Sequence, residues 1–312
     1  MPAPEGTTLS SLLCPVDFSD QSRHALHWAV ALAVQRKTPL TVLTAVDPLL
    51  AEAARVRAGV DLAKAEVEPE LREFVRTVVP GDASWAPVIT VDVRVGDAAS
   101  VILEAAGHQR ADFVVMGTQG QGGFRKVLLG STAERVLRRT RTPVLAVPPS
   151  ATESVVLDAS GARLEPGRIL VGTDFSRTAD AALQWAVQTA GELGVPLILA
   201  HVVQPVNVPP QWQSYAAESD EERVAAARSK LVHLSQHSCG SQPCEIVVSI
   251  GRPADSMASI AREHRAGLIV IGLASDLGPF APRPGSIAYP ILCHAKVPVL
   301  VVPAPGRVQA TG

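Results

Sequence analysis

Leu12-Leu13-Cys14-Pro15-Val16-Asp17-Phe18-Ser19 reappears 157 residues further on as Ile169-Leu170-Val171-Gly172-Thr173-Asp174-Phe175-Ser176. A short apolar run ending in Asp-Phe-Ser is the pattern of a buried strand that stops at a polar turn. The same offset carries Ala25-Leu26-His27-Trp28-Ala29-Val30 to Ala182-Leu183-Gln184-Trp185-Ala186-Val187. Later the offset falls to 155: Gly96 returns as Gly251, Gly117 as Gly272, Gly130 as Gly285, and Pro143-Val144-Leu145 as Pro298-Val299-Leu300. A net loss of two residues between the blocks accounts for the change. The repeating unit far exceeds solenoid periods of about 20–50 residues, so a whole domain has been duplicated.

Each copy alternates strand and helix. In the first, Leu12–Val16 predicts a strand, and residues 22–36 predict a helix with Ala25, Trp28, Ala29 and Leu32 at helical spacing. Strands are expected at 40–46, 88–95, 113–116 and 144–147. Helices are expected at 98–108 and 131–139, with a long one over 51–79 interrupted near Gly59 and Pro69. Such alternation implies a parallel sheet covered on both faces, hence an α/β fold of two doubly wound domains. The segment 150–166, with Ser, Gly, Pro and acidic residues, reads as a linker between domains at 1–149 and 167–312. Trp28 and Trp185 read as helix-packing anchors.

Composition agrees and narrows the function. Of 312 residues 47% are apolar but only 4% aromatic, which suits small and aliphatic side chains on buried parallel strands. The net charge of −2, without any block of like charge, argues against nucleic acid as a partner. No run approaches the roughly 18–20 apolar residues that cross a bilayer, so no membrane partner is expected. Met1–Ser11 lacks a basic start followed by an apolar stretch, and four cysteines show no framework spacing; a cytoplasmic protein is the expectation.

The chemistry concentrates in Met116-Gly117-Thr118-Gln119-Gly120, followed after nine residues by Gly130-Ser131-Thr132. Gly117 stands where a strand ends, and Ser131, a favoured N-cap type, opens a helix. A helix N-terminus offers N–H groups and the positive end of a dipole, and glycines admit an anion close to the backbone. Asp17, at the end of the first strand, reaches the same crevice, where doubly wound sheets bind ligands. Its carboxylate suits the hydroxyl pair of a ribose. Arg125 and Lys126 in the intervening loop read as solvated, with γ-phosphate contact the alternative.

On Asp17 and the Gly-x2-Gly-x9-Gly-Ser spacing at 117–131, the chain resembles the ATP-binding branch of the universal stress protein family, and its two halves make it similar to the tandem members. The resemblance implies five-stranded parallel sheets of order 3-2-1-4-5, with the nucleotide between strands one and four. It implies that Asp17 meets ribose, that backbone near Pro15 and Ala45 frames adenine, that Gly117, Gly120, Gly130, Ser131 and Thr132 line the phosphates, and that Met116 belongs to the same ATP site. Magnesium is expected to accompany the ATP. Last strands in this family commonly pair across a dimer, which implies an intramolecular pseudo-dimer of the two copies, with a homodimer as a further option.

The second copy keeps Asp174, Gly272, Gly285 and Ser286, but Ser275 replaces the second glycine, and Pro279, Pro282 and Pro284 remove N–H donors. Weak or absent nucleotide binding is expected there. His233 and His237, with Cys239 and Cys244, fit zinc or a redox pair less well than they fit a polar helix end and turn. No Walker motif, kinase signature or dinucleotide fingerprint is present. A non-catalytic ATP-dependent regulator in a stress response, working through a protein partner, is therefore the leading reading. A slow ATPase or adenylyl-transferring enzyme, with His24 or Glu134 as base, and a nucleotide-free interaction module are the alternatives.

Overall fold

The computed structural model describes residues 11–79, 83–119, 129–151, 154–158, 161–206, 208–209, 213–273 and 287–304. They form two compact units, one ending at Leu164 and the other beginning at Glu165.

The first unit runs β1 (Leu12–Pro15), α1 (Asp20–Arg36), β2 (Leu40–Val46), α2 (Pro48–Ala58), a π-helical turn (Ala63–Val67), α3 (Glu68–Arg76), β3 (Ile89–Val95), α4 (Ala98–His108), β4 (Phe113–Gly117), α5 (Ser131–Arg139) and β5 (Val144–Val147). Its sheet is wholly parallel in the order β3-β2-β1-β4-β5. The second unit repeats the plan with β8 (Ile169–Gly172), α6 (Arg177–Leu193), β9 (Leu197–Val203), α7 (Gln213–Ser238), β10 (Cys244–Ile250), α8 (Pro253–Glu263), β11 (Leu268–Leu273), α9 (Ala288–His294) and β12 (Val299–Pro303), in the order β10-β9-β8-β11-β12. Both match the expected doubly wound order.

The central strands are buried on both faces: Leu12, Leu13 and Cys14 are fully enclosed, as are Ile169, Leu170 and Val171. Helix starts follow side-chain chemistry. Ser19 caps α1 by accepting from the Ser22 N–H at 3.2 Å, and Ser176 caps α6 by accepting from Ala179 at 3.3 Å. Asp47 caps α2 ahead of Pro48, whose fixed φ suits the first helical position.

The segment expected as a linker folds instead. β6 (Val155–Asp158) and β7 (Gly161–Leu164) pair antiparallel and belong to the first unit. Their effect is visible in α1, where six successive residues, Trp28 to Ala33, are buried. A helix lying on a sheet buries a stripe; one buried all round is covered on its outer side as well. The hairpin supplies that cover, and the Trp28 indole N–H donates to the Ala151 carbonyl at 3.0 Å just ahead of it. The corresponding α6 buries only Thr178, Ala179, Ala182, Leu183, Ala186, Thr189 and Ala190, an ordinary stripe, and Trp185 is half-buried.

Candidate functional site

In-step parallel pairing sets the levels of the crevice. Leu12 lies beside Leu40 of β2 and beside Phe113 of β4. Continued past the strand ends, those registers bring Asp17 level with Ala45 and with Thr118, all at the carboxyl edge of the sheet. This is the switch point, since the chain leaves β1 toward β2 on one side and has β4 on the other.

Asp17 is exposed and held by its own turn. Its Oδ1 accepts from the Ser19 N–H at 3.1 Å and from the Ser19 hydroxyl at 2.5 Å. Between them Phe18 sits in the left-handed region at φ 63°, and Phe175 at φ 62° does the same in the second unit. A bulky residue there is strained, and the strain recurs at matching positions beside the crevice. Asp174 repeats the bond to the Ser176 N–H at 3.0 Å. Asp17 is therefore not the cap of α1; Ser19 is.

Two glycines carry a structural duty that the sequence reading did not foresee. A Cβ on Gly117 would lie 3.2 Å from the Gln21 carbonyl oxygen in the first turn of α1. On Gly272 it would lie 2.6 Å from the Thr178 carbonyl carbon and 2.7 Å from the Ala179 nitrogen. Both glycines let the helix after the first strand approach the end of the fourth. Met116 beside Gly117 is buried, and Pro15 at the end of β1 is half-buried.

At the other side of the crevice the N-cap of α5 is Gly130, one residue earlier than the expected Ser131. The Gly130 N–H donates to the Thr118 carbonyl at 2.8 Å, which ties the start of α5 to the end of β4, and Gly130 is extended at φ −63°, ψ 146°. Ser131, exposed, and Thr132, half-buried, then start the helix. Among the described residues no side-chain cap of its first turn is seen, the N-cap being a glycine. The first-turn N–H groups of a helix have no intrahelical acceptor, so α5 starts with donors and the positive end of a dipole. Arg135 on α5 reaches the carboxylate of Asp97, the N-cap of α4, at 2.7 Å, and that hydrogen bond holds Asp97 below the usual carboxylate range. Gly120, Arg125 and Lys126 lie outside the described residues, as do Ser275, Pro279, Pro282, Pro284, Gly285 and Ser286.

The second crevice differs in the part that is described. In the first unit the Thr44 hydroxyl donates to the Val16 carbonyl at 2.9 Å. At the same place in the second, His201 Nδ1 meets the Thr173 carbonyl at 2.7 Å, and its ring lies 4.6 Å from that of Phe175. Lys230 of α7 stands 5.3 Å from the Phe175 ring centre. His201 thus sets a ring against Phe175 where the first unit has the Thr44 hydroxyl, while Phe18, the counterpart of Phe175, meets the ring of Phe74 at 5.5 Å with Arg23 over that ring. Helix α9 begins at Ala288, two positions later than the counterpart of α5, with Pro290 in its first turn. The sequence reading missed Thr44 and His201; their matching places in the repeat were the available signal.

The remaining candidates sort readily. Glu134 is paired with Arg138 at 2.7 Å. The ring of His24 faces that of His27 at 6.4 Å on α1. The rings of His233 and His237 stack at 4.0 Å, and among the described residues no group of three or more His, Cys, Asp or Glu side chains is placed to hold a metal ion. Cys14 is enclosed, and burial pushes its thiol well above the ordinary value. No described helix is long and apolar enough to cross a membrane.

A model of the universal stress protein family matches residues 9–148 and again residues 166–303. The chain belongs to that family. A universal stress protein of Mycolicibacterium smegmatis is 26% identical over 303 residues, covering 96% of this chain and 98% of the relative. Universal stress protein Rv2623 of Mycobacterium tuberculosis is 26% identical over 307 residues, covering 95% and 97%. The crystal structure of a universal stress protein from Archaeoglobus fulgidus aligns with a TM-score of 0.60 at 21% identity, covering 95% of this chain and 98% of that one, a likeness of fold. Two family domains in one chain are thus common to this protein and to relatives of matching length.

Proposed function

We propose that the first universal stress protein domain binds ATP in the crevice between β1 and β4, and that the chain acts as a non-catalytic, nucleotide-dependent regulator. The observation that carries the reading is the start of α5 behind Gly130, a cap residue without a side chain, at the same sheet edge as Asp17. The two groups are complementary in charge and suit the two ends of a nucleotide. Donors of the first turn of α5, with the Ser131 and Thr132 hydroxyls, would hold the phosphates. The Asp17 carboxylate, its Oδ1 anchored by Ser19, would accept from ribose, and backbone near Pro15 and Ala45 would frame the base. Magnesium bound with the triphosphate would offset its charge; it enters with the ligand, since the donors described in the crevice are suited to anions and hydroxyls.

A regulator rather than an enzyme is favoured because the carboxylates described beside α5 are engaged, Glu134 by Arg138 and Asp97 by Arg135. Catalysis of hydrolysis needs a base within hydrogen-bond reach of the attacking water. The test is mass spectrometry of small molecules released from denatured, purified protein, followed by incubation of the nucleotide-free protein with labelled ATP and magnesium. Retained, unhydrolysed ATP is the expected outcome. A crevice that holds no adenine nucleotide at saturating ATP would overturn the reading, and turnover above a few per minute would move it to the enzymes.

A further inference from the structure

Cys239 and Cys244 stand apart from both crevices. Helix α7 ends at Ser238, and the Cys239 N–H still bonds back to the Ser235 carbonyl at 3.1 Å. Gly240, left-handed at φ 58°, then reverses the chain, and the Gln242 N–H donates to the Cys239 carbonyl at 3.0 Å to close a tight turn. Cys244 opens β10, fixed by its register with Leu197 of β9. Helix end and strand start are both anchored, and the turn sets the two sulfurs 3.2 Å apart. Both thiols are free; Cys239 is buried and Cys244 half-exposed, so solvent reaches the pair from the Cys244 side.

We propose that Cys239 and Cys244 form a reversible dithiol–disulfide modification site that reacts with small hydroperoxides. The hydrogen bond between the thiols favours one shared proton: it holds Cys239 below the ordinary thiol value and Cys244 above it. Attack from the solvent side therefore begins with transfer of the shared proton from Cys244 to Cys239 across the 3.2 Å contact, which leaves the thiolate on Cys244. At the solvent side the Cys244 sulfur attacks the hydroperoxide; the O–O bond breaks, the sulfur is oxidised to a sulfenic acid, and the departing oxygen takes up the proton lost by the pair, leaving as alcohol or water. Cys239, giving up the proton it holds, then attacks the Cys244 sulfur. The S–S bond forms, the S–O bond breaks, and hydroxide leaves as water with the pair's second proton. Two thiols have lost two electrons and two protons, and the peroxide has been reduced. Fixed juxtaposition makes the second step intramolecular and fast. Neither cysteine has a counterpart in the first unit, so the modification would mark one domain alone.

The full chain is treated with hydrogen peroxide, blocked with N-ethylmaleimide, digested and analysed by mass spectrometry. The expected product is an intramolecular Cys239–Cys244 bridge that dithiothreitol reverses, and dimedone should label Cys244 in a Cys239→Ser variant. Because that variant replaces a buried residue, the unaltered chain is also equilibrated in a glutathione redox buffer. There the effective concentration of the pair should be at least about tenfold higher in the folded chain than in guanidinium. Bridging through Cys293, both thiols staying alkylatable while Cys293 is oxidised, or equal effective concentrations folded and unfolded would each overturn the proposal.

Discussion

Asp17 shows how one side chain divides its work. Oδ1 accepts from Ser19, which fixes the carboxylate at the end of β1, where the proposed ribose contact would use its charge. Asp17→Asn keeps an oxygen for Ser19 and removes the charge, so ATP affinity measured by calorimetry should fall about tenfold with the melting temperature nearly unchanged. Gly117 and Gly272 make the opposite kind of case, since backbone and not ligand explains the missing Cβ. Gly272→Ala, at 2.6 Å from the Thr178 carbonyl carbon, cannot be relieved by a rotamer and should destabilise by about 2–3 kcal/mol in urea unfolding. Gly117→Ala, at 3.2 Å, should cost visibly less. His27 sets a pH dependence. Burial foremost, then the charges of His24 and Arg23, lower its pKa in the fold from 6.5. Its contribution is therefore fully present above that unfolded value and is lost as pH falls below it, because the unfolded chain takes up the proton first. In urea titrations His27→Gln should flatten the decline in stability just below pH 6.5. At this scale the sequence exposed the residues but not their duties: an Asp, a Gly and a Ser in the right order look alike whether they meet a phosphate or a neighbouring helix.

The elements were legible where period and punctuation agree. Helix α4 falls on its expected residues 98–108 and β5 on 144–147, because a capping Asp97 and a preceding Pro143 mark their starts. The hairpin of β6 and β7 was not legible, since two strands of four residues set among Ser, Gly and Pro carry the composition of a linker. Its cause is non-local: the outer face of α1 needed cover, and no property of residues 155–164 announces that. Helix α5 spans its expected residues 131–139, but its cap is Gly130 and not Ser131, for a related reason. Ser131 has the better capping side chain, but the bond from Gly130 to Thr118 decides where the chain turns extended and hence where the helix begins. This yields a test with two readouts of opposite sign. The Gly130 backbone, at φ −63°, accepts any residue, and an added Cβ would come no closer than 3.4 Å to the Thr118 carbonyl oxygen. Gly130→Asp should cap α5 and raise stability by a few tenths of a kcal/mol, while its carboxylate takes the donors meant for phosphate and lowers ATP affinity about tenfold or more. Improved ATP binding in this variant would place the phosphates elsewhere.

At the scale of the whole chain, duplication has left two domains of one topology and two crevices of different chemistry. Both keep the Asp-Phe-Ser turn with its left-handed Phe. The first keeps a small hydroxyl at Thr44 and an α5 that starts immediately after Gly130. The second brings His201 against Phe175 and starts α9 two positions later, on a helix whose first turn holds a proline. Since a ligand stabilises only the state that binds it, occupancy can be counted through stability. At ATP about a hundredfold above its dissociation constant, one site adds about 2.7 kcal/mol to the unit that holds it, and nothing to a unit that does not. Thermal unfolding of the full chain with ATP and magnesium should therefore show one transition moving upward and the other staying in place, with about one nucleotide bound per chain in equilibrium dialysis. Asp17→Ala should abolish the moving transition's shift, and Asp174→Ala should leave it intact. Two nucleotides per chain, or a shift that follows Asp174 and ignores Asp17, would reverse the assignment of the competent domain, because the ring pair at His201 would then be a base-stacking surface and not an obstruction.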